Sequence, residues 1–180
     1  RRRISRKGKK VITAAVIATA VCLVFLYAEK RSYHSYKVLN TSEQEDVVST
    51  QYVDMDGDIL RYSPDGVSVV DNSMNTIWNE TYTMQNPIAD VNGSRAVVAD
   101  SEGTSLYICD KKGVTGTVTT SYAIVKVRIA SNGMVAVILD NDDNTWINFY
   151  NPDGSLVAEN LTKIDDPGYP MDVAVSDNGV

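Results

Sequence analysis

The chain has 180 residues, a net charge of −6, two cysteines and one histidine. Cys22 and Cys109 lie in unlike segments, and His34 stands alone, so an intrachain disulfide, a His-based metal site and a Ser-His-Asp triad are all unsupported. Since the first ten residues carry +7, residues 11–180 carry −13, which argues against nucleic acid as a partner.

The N-terminal segment predicts a membrane anchor. Residues 1–10 hold seven positive charges and lead into eighteen uncharged residues, 11–28. A helix of that length is about 27 Å long, just enough for a hydrocarbon core of roughly 30 Å. Only Lys30 and Arg31 follow closely on the far side. The positive-inside bias therefore predicts a basic cytoplasmic tail at 1–10, one transmembrane helix at 11–28, and an extracytoplasmic remainder.

A cleaved signal peptide is the alternative for this segment. Ala18-Thr19-Ala20 has the small-x-small pattern of a cleavage site, but apolar residues continue past it to Ala28. Val21 is a poor residue before Cys22 for a lipoprotein box. We therefore expect an uncleaved, single-pass protein of the cell membrane, with its N-terminus in the cytoplasm and its C-terminal domain outside the cell.

Residues 29–50 are predicted to be a stalk or linker. Residues 32–39 are β-prone, and residues 40–49 are polar and acidic. One interpretation is a plain spacer. The other is that residues 36–39 form a ring-closing strand of the repeat domain that follows.

From residue 51 onward the sequence repeats short alternating apolar runs with no helical period. Four motifs that end in Gly lie 36, 40 and 46 residues apart, at 54–57, 90–93, 130–133 and 176–179. A second marker, a residue suited to a positive φ, recurs at Asn75, Gly113 and Gly154. Turn motifs at such intervals indicate a structural repeat of about 40 residues.

Each repeat unit predicts four strands joined by hairpins. In the second unit the strands are 88–91, 95–100, 105–110 and 114–119; in the third they are 124–130, 134–140, 145–151 and 155–160. Pro87 and Pro170 each precede the first strand of a unit, where a missing N–H costs least. Four strands per repeat is the pattern of a propeller blade, whereas a β-sandwich would not repeat its turns at a fixed interval.

The predicted fold class is therefore all-β, a β-propeller of four-stranded blades preceded by a single transmembrane helix. Residues 51–180 hold about three blades and the first strand of a fourth. Because propellers close with four to eight blades, we expect these extracytoplasmic repeats to be an incomplete, truncated propeller.

Three stretches of the chain also carry a family resemblance. After the basic tail, the span and the Tyr-rich stalk come Ser-Pro-Asp-Gly-Val-Ser-Val-Val-Asp at 63–71, then Trp78, then Gly-Tyr-Pro-Met-Asp-Val-Ala-Val-Ser-Asp-Asn-Gly at 168–179. The chain resembles a family of unknown function made of bacterial, mostly Gram-positive, membrane-anchored β-propeller proteins, WD-repeat-like or quinoprotein-like in blade architecture. The resemblance implies an extracytoplasmic propeller and carries over no functional residues.

Candidate chemistry in the repeats is sparse. The loops 54–58 and 140–144 are rich in Asp and Asn, which suit calcium but are also what hairpin turns need. Cys109 is predicted to be a buried small hydrophobe. Trp78 and Trp146 are predicted to be core residues rather than a substrate platform.

Two cations in one predicted first strand are a further candidate. Lys126 and Arg128 share a face of that strand, and in a propeller the first strands line the central channel. They could meet an anionic ligand there, or they could belong to a salt-bridged surface between blades, which we favour in an acidic protein.

No catalytic, cofactor-binding or metal-binding residue is assigned, and no cofactor is expected. The predicted function is that of a non-enzymatic binding or scaffold module at the cell envelope, with an unknown envelope protein or ligand as partner. The alternative is an envelope enzyme, glycosidase-like or quinoprotein-like, with catalytic residues partly outside this chain.

Overall fold

The computed structural model describes residues 16–24, 49–141, 144–163 and 170–176, apart from the side chain of Lys163. The chain divides into two compact units, Arg1–Thr41 and Ser42–Val180. In the first, residues 16–24 are helical. The described residues contain no helix that is both long and apolar enough to cross a membrane. The rest of the predicted span 11–28, the tail 1–10 and most of the stalk 29–50 lie outside the described residues.

The described part of the second unit forms three antiparallel four-stranded sheets, which we call blades 1, 2 and 3. Blade 1 consists of β1 (Gln51–Met55), β2 (Asp58–Ser63), β3 (Gly66–Val70) and β4 (Thr76–Thr81). Blade 2 consists of β5 (Pro87–Asn92), β6 (Arg95–Asp100), β7 (Ser105–Asp110) and β8 (Gly113–Thr119). Blade 3 consists of β9 (Ala123–Ile129), β10 (Val135–Asp140), β11 (Asn144–Tyr150) and β12 (Leu156–Lys163).

These sheets confirm the prediction of four-stranded blades. Each sheet contains four strands in sequence order, and β6 and β7 have the predicted bounds. The other predicted strands of units two and three start and end within three residues of the observed ones. Pro87 is the first residue of β5 rather than the residue before it, a position where its missing N–H is still tolerated.

Blade 2 is packed on both faces because its central strands, β6 and β7, are apolar at their four inner positions. Ala96 and Val98 face blade 1, in a cluster that includes Leu60 and Val69. The alternate residues Val97 and Ala99 face blade 3, in a second cluster with the residues Val127, Val137 and Leu139. Fully burying one such aliphatic side chain contributes roughly 1.5–3 kcal/mol. The two clusters therefore hold the blades face to face.

A β-bulge recurs at the same place in the outer strand pair of every blade. It lies at Val69/Val70 in blade 1, at Ile108/Cys109 in blade 2 and at Phe149/Tyr150 in blade 3. The bulge places Trp78, Gly116 and Ala158 at equivalent positions of β4, β8 and β12. A bulge adds one residue to one strand and so fixes which residues lie opposite each other beyond it. The common bulge therefore shows which residues of the three blades correspond.

The register corrects the alignment of the first turn motif. Met55 pairs with Asp58, and Asn92 pairs with Arg95, so the turn residues 56–57 correspond to 93–94 and not to 92–93. A one-residue slip in a strand moves each side chain to the opposite face. The third turn, 131–133, is one residue longer, since Ala130 N–H donates to the carbonyl of Met134.

The second turn marker is also displaced by one residue in blade 1. Met74, and not Asn75, has the positive φ, 65°, and it corresponds to Gly154 with φ 85°. Each of these residues donates its N–H to the carbonyl three residues earlier, at 2.9 Å. Asn75 instead donates to Asp71 through both its backbone and its side chain.

The predicted first strand of a fourth blade is not a strand in this structure. Residues 170–176 have no ladder partner among the described residues. They lie against the first strand of blade 3, where the Asp172 carboxylate pairs with Lys126 and Arg128.

Candidate functional site

The turns β1–β2 and β3–β4, with their equivalents in blades 2 and 3, emerge from one side of the blades, which we call the hairpin face. On blade 2 the two hairpins of this face bound a cleft of about 220 Å³. The cleft is lined by Ser94, Arg95, Asp110, Lys111 and Lys112.

Strand register places the first two charges of the cleft opposite each other. Arg95 at the start of β6 pairs with Asp110 at the end of β7, and Arg95 Nη1 lies 3.5 Å from Asp110 Oδ2. The other carboxylate oxygen of Asp110 accepts the backbone N–H of Lys112 at 2.6 Å. Asp110 therefore shapes the turn and orients Arg95 at once, as Asp does in many hairpin turns.

Lys111 connects the cleft to blade 1. Its Nζ donates to the carbonyl O of Asp56 at 2.6 Å and lies 3.0 Å from Asp58 Oδ2. The hydrogen bond to Asp58 and the nearby charge of Asp56 raise the pKa of Lys111 above its usual value. The ammonium thus stays charged and joins the first hairpin of blade 1 to the last hairpin of blade 2.

This lysine also bears on the predicted calcium loop at 54–58. Two of its carboxylates, Asp56 and Asp58, already share the ammonium of Lys111, at 3.6 and 3.0 Å. Within the described residues, no three His, Cys, Asp or Glu side chains come together as a metal site would need. The second candidate loop, 140–144, includes residues 142 and 143, which lie outside the described residues.

Lys112 differs from the other two cations of the cleft. It is exposed, and within the described part of the chain its ammonium has no hydrogen-bond or ion-pair partner, while its backbone N–H is held by Asp110. The hydroxyl of Ser94 lies beside it in the lining and is likewise exposed. Among the described residues, the cleft therefore offers an ammonium without a partner, at Lys112, and the hydroxyl of Ser94 next to the Arg95 guanidinium.

Lys126 and Arg128 confirm the salt-bridged interpretation of the first strands. Lys126 Nζ lies 3.1 Å from Asp172 Oδ2. Arg128 lies between two carboxylates, 3.5 Å from Asp172 and 3.6 Å from Asp90 of the preceding blade. The second oxygen of Asp90 accepts the backbone N–H of Ile129 at 2.8 Å. These groups link successive first strands and leave no cation of this pair unneutralised.

Both tryptophans and Cys109 have structural surroundings. Trp78 packs between blades 1 and 2 and donates Nε1–H to the carbonyl of Asp110 at 3.1 Å. Trp146 packs on the core between blades 2 and 3 and stacks on Tyr122 with 6.0 Å between ring centroids. Burial raises the pKa of the Cys109 thiol to about 12, so the sulfur is a neutral core atom. His34 lies outside the described residues.

The cleft itself was not predicted from the sequence. Its one local signal is Lys111-Lys112 in a turn that follows Asp110. Arg95 reaches the site through strand pairing across a sequence distance of 15 residues, and Lys111 reaches blade 1 across 55. Such non-local contacts depend on the register of the paired strands. The alignment of the turn motifs predicted that register with an error of one residue.

Comparison with known proteins identifies a matching family model and similar solved structures. The model of a family of unknown function, DUF5711, matches residues 29–180. No functionally curated protein matches the chain. The similar solved structures include the Pan2 WD40 domain of Neurospora crassa, at 15% identity and TM-score 0.42, and a protein of unknown function from Bacteroides caccae, at 18% and 0.44. They are matched over 61% and 74% of this chain, which spans 34% and 52% of their own lengths.

Proposed function

The chain belongs to the family of unknown function DUF5711, and we propose that it is a membrane-anchored binding module that presents the hairpin face of its blades at the cell envelope. The role is recognition of a partner through a rigid surface and involves no bond chemistry. The span is the apolar run 11–28, and the basic residues 1–10 keep the N-terminus in the cytoplasm.

One observation carries the proposal: the cations of the first strands are paired with acids, whereas the cleft retains a cation, Lys112, that has no partner among the described residues. Arg128 of the first strand of blade 3 is paired with both Asp90 and Asp172. Within the described residues, the cleft has in contrast an ammonium without a partner, at Lys112, on a hairpin whose backbone is held by Asp110, and an exposed hydroxyl at Ser94. Preorganised polar groups around a concave site are the usual form of a binding surface.

Site-specific photo-crosslinking in intact cells tests this proposal. A photoreactive amino acid replaces Ser94 in the cleft or, as the matched control, Thr119 at the opposite end of β8; both positions are exposed. We expect one adduct of constant mass from position 94 and none from position 119. Equal labelling at both positions, or labelling at neither, would contradict the proposal. Glycan turnover or bound quinone in the purified protein would then favour an enzyme.

The topology has its own test, which is independent of the partner. A protein held by residues 11–28 remains in the membrane pellet after alkaline carbonate extraction, and protease added to intact cells digests residues beyond 29. Recovery of the full chain from the soluble fraction would contradict the anchor without bearing on the cleft.

A further inference from the structure

The cleft concentrates positive charge on an otherwise acidic protein. Residues 49–180 contain seven Lys and Arg, and three of them, Arg95, Lys111 and Lys112, line this one cleft. Lys111 is held by the Asp56 and Asp58 oxygens. Arg95 meets Asp110 through Nη1 alone, at 3.5 Å, so most of its donors are available. Lys112 has no partner within the described residues.

We propose that the cleft binds a carboxylate side chain from an acidic segment of a partner protein, an inference that rests on the proposed function. A guanidinium can hold a carboxylate through two parallel hydrogen bonds, and an ammonium adds a point charge. Arg95 supplies the guanidinium and Lys112 supplies the ammonium, with the Ser94 hydroxyl beside them. The volume of about 220 Å³ is below the range of roughly 300–1,000 Å³ typical of small-molecule pockets, and it suits a single anionic group.

The cleft is bordered by acids as well as by cations, so it suits a ligand group with a single negative charge. Asp110 is part of the lining, and Asp56 and Asp58 lie just beyond Lys111. A phosphate monoester with nearly two negative charges feels both the attraction of the cations and the repulsion of these acids about twice as strongly as a carboxylate does, so its extra charge brings little advantage. A single carboxylate matches the single charge of Lys112, the cation of the lining that has no partner among the described residues. The remaining acidic charge of the protein is screened over about 8 Å at physiological salt, so these local groups decide the preference.

Binding of labelled peptides to the full-length protein in nanodiscs tests this inference. The probes are a fluorescein-labelled peptide of eight glutamates, the same peptide with eight glutamines, and unlabelled polyphosphate as a competitor; the readout is fluorescence anisotropy. We expect the glutamate peptide to bind, the glutamine peptide not to bind, and polyphosphate to compete no better than free glutamate peptide. Affinity should fall as salt is raised.

Two variants and a matched control locate the binding. Lys112→Gln should weaken the glutamate peptide by about three- to tenfold, the size expected for one charged hydrogen bond at a surface. Thr119→Glu changes the net charge by the same amount at a distant exposed position and should alter affinity less than about twofold. Asp110→Asn removes a repulsive charge but keeps an acceptor for the Lys112 N–H, so it should tighten binding.

Several results would overturn the inference. They are equal binding of the two peptides, stronger competition by polyphosphate than by glutamate peptide, or an unchanged affinity in Lys112→Gln, whose fold is checked by circular dichroism. If the crosslink from position 94 also persists in Lys112→Gln cells, the proposed function stands and the carboxylate site does not. If no position yields a crosslink, the proposed function itself fails.

Discussion

Met74 is a methionine in left-handed backbone, with φ 65°. Its structural equivalent in blade 3 is Gly154, which adopts the same conformation at no steric cost. A side chain with a Cβ in this region costs roughly 1–2 kcal/mol, although part of this cost is offset by the lower chain entropy of a non-glycine residue. At this turn position blade 1 therefore has Met74 where glycine, as in blade 3, would be the preferred residue.

Met74→Gly should raise the free energy of unfolding by about 0.5–1 kcal/mol. The backbone strain that is relieved at the positive φ is larger than the stabilisation of the unfolded state by the greater chain entropy of glycine. Urea denaturation of the full-length protein measures this change. The matched control is Gly154→Ala, which introduces the same strain and brings a Cβ within 2.9 Å of the Thr117 carbonyl; it should lower stability. A loss of stability in Met74→Gly would show that the side chain of Met74 matters more than its backbone.

At the scale of single residues, some features were predictable and others were not. Cys109 and Trp78 were expected in the core because they sit in alternating apolar runs, and both pack between blades 1 and 2. The pairing of Asp172 with Arg128 was beyond prediction, since it joins residues 44 apart that share no motif.

Among the strands, the contact that repeats between blades joins each outer strand to the last hairpin of the next blade. Trp78 of β4 reaches the carbonyl of Asp110 in blade 2. At the equivalent position of β8, Gly116 lies directly against the backbone of the Pro152-Asp153-Gly154 turn of blade 3. Between blades 1 and 2, the large side chain of Trp78 makes the contact. Between blades 2 and 3, Gly116 has no side chain, so the two backbones touch directly.

Gly116→Ala should lower the free energy of unfolding by about 1–3 kcal/mol, since the new Cβ would lie 2.5 Å from the backbone of residues 153 and 154. The control is Ala158→Ser, which also adds one heavy atom at the equivalent position of β12, where the residue is exposed; its effect should stay within about 0.5 kcal/mol. Denaturant unfolding of both variants measures these free energies. Equal losses of stability would contradict the contact between Gly116 and the turn of blade 3.

The segment 170–176 contacts β9 through Asp172, whose ion pairs make this contact depend on pH. The backbone N–H of Val173, and then Lys126 and Arg128, lower the pKa of Asp172 below its usual value. A carboxyl with a lowered folded pKa stabilises the structure above the unfolded pKa of about 3.9, and this contribution is lost as the pH falls through the folded value.

NMR titration of the Asp172 side-chain carbon should therefore give a midpoint below about 3.9. In Lys126→Gln the midpoint should move up toward the ordinary value, while Arg61→Gln, a charge change on blade 1, should leave it in place. A midpoint at or above the ordinary value in the unaltered protein would mean that these ion pairs are not formed in solution.

At the scale of elements, strand existence was predictable and strand register was not. The runs that became β6 and β7 are apolar at their four inner positions and end at Asp100 and Asp110, so their bounds were predictable. The turns between first and second strands have two residues in blades 1 and 2 but three in blade 3. Turn motifs that end in Gly look alike in all three, and only strand pairing shows which residues correspond.

Considered as a whole, the described blades form a stack in which the middle member has no free face. Its central strands contribute Val97 and Ile108 to one neighbour and Val98 and Cys109 to the other, all fully buried. The outer strands differ, since β12 leaves Leu156, Val157 and Leu161 about half exposed. The rigidity of the cleft follows from this arrangement, because both of its hairpins belong to blade 2.

Amide hydrogen exchange of the full-length protein, read by mass spectrometry, tests this packing most directly. The slowest amides should lie in β6 and β7, which are paired on both edges and covered on both faces, with β4 and β12 exchanging much faster. Exchange in β6 as fast as in β12 would contradict the face-to-face stacking of the blades.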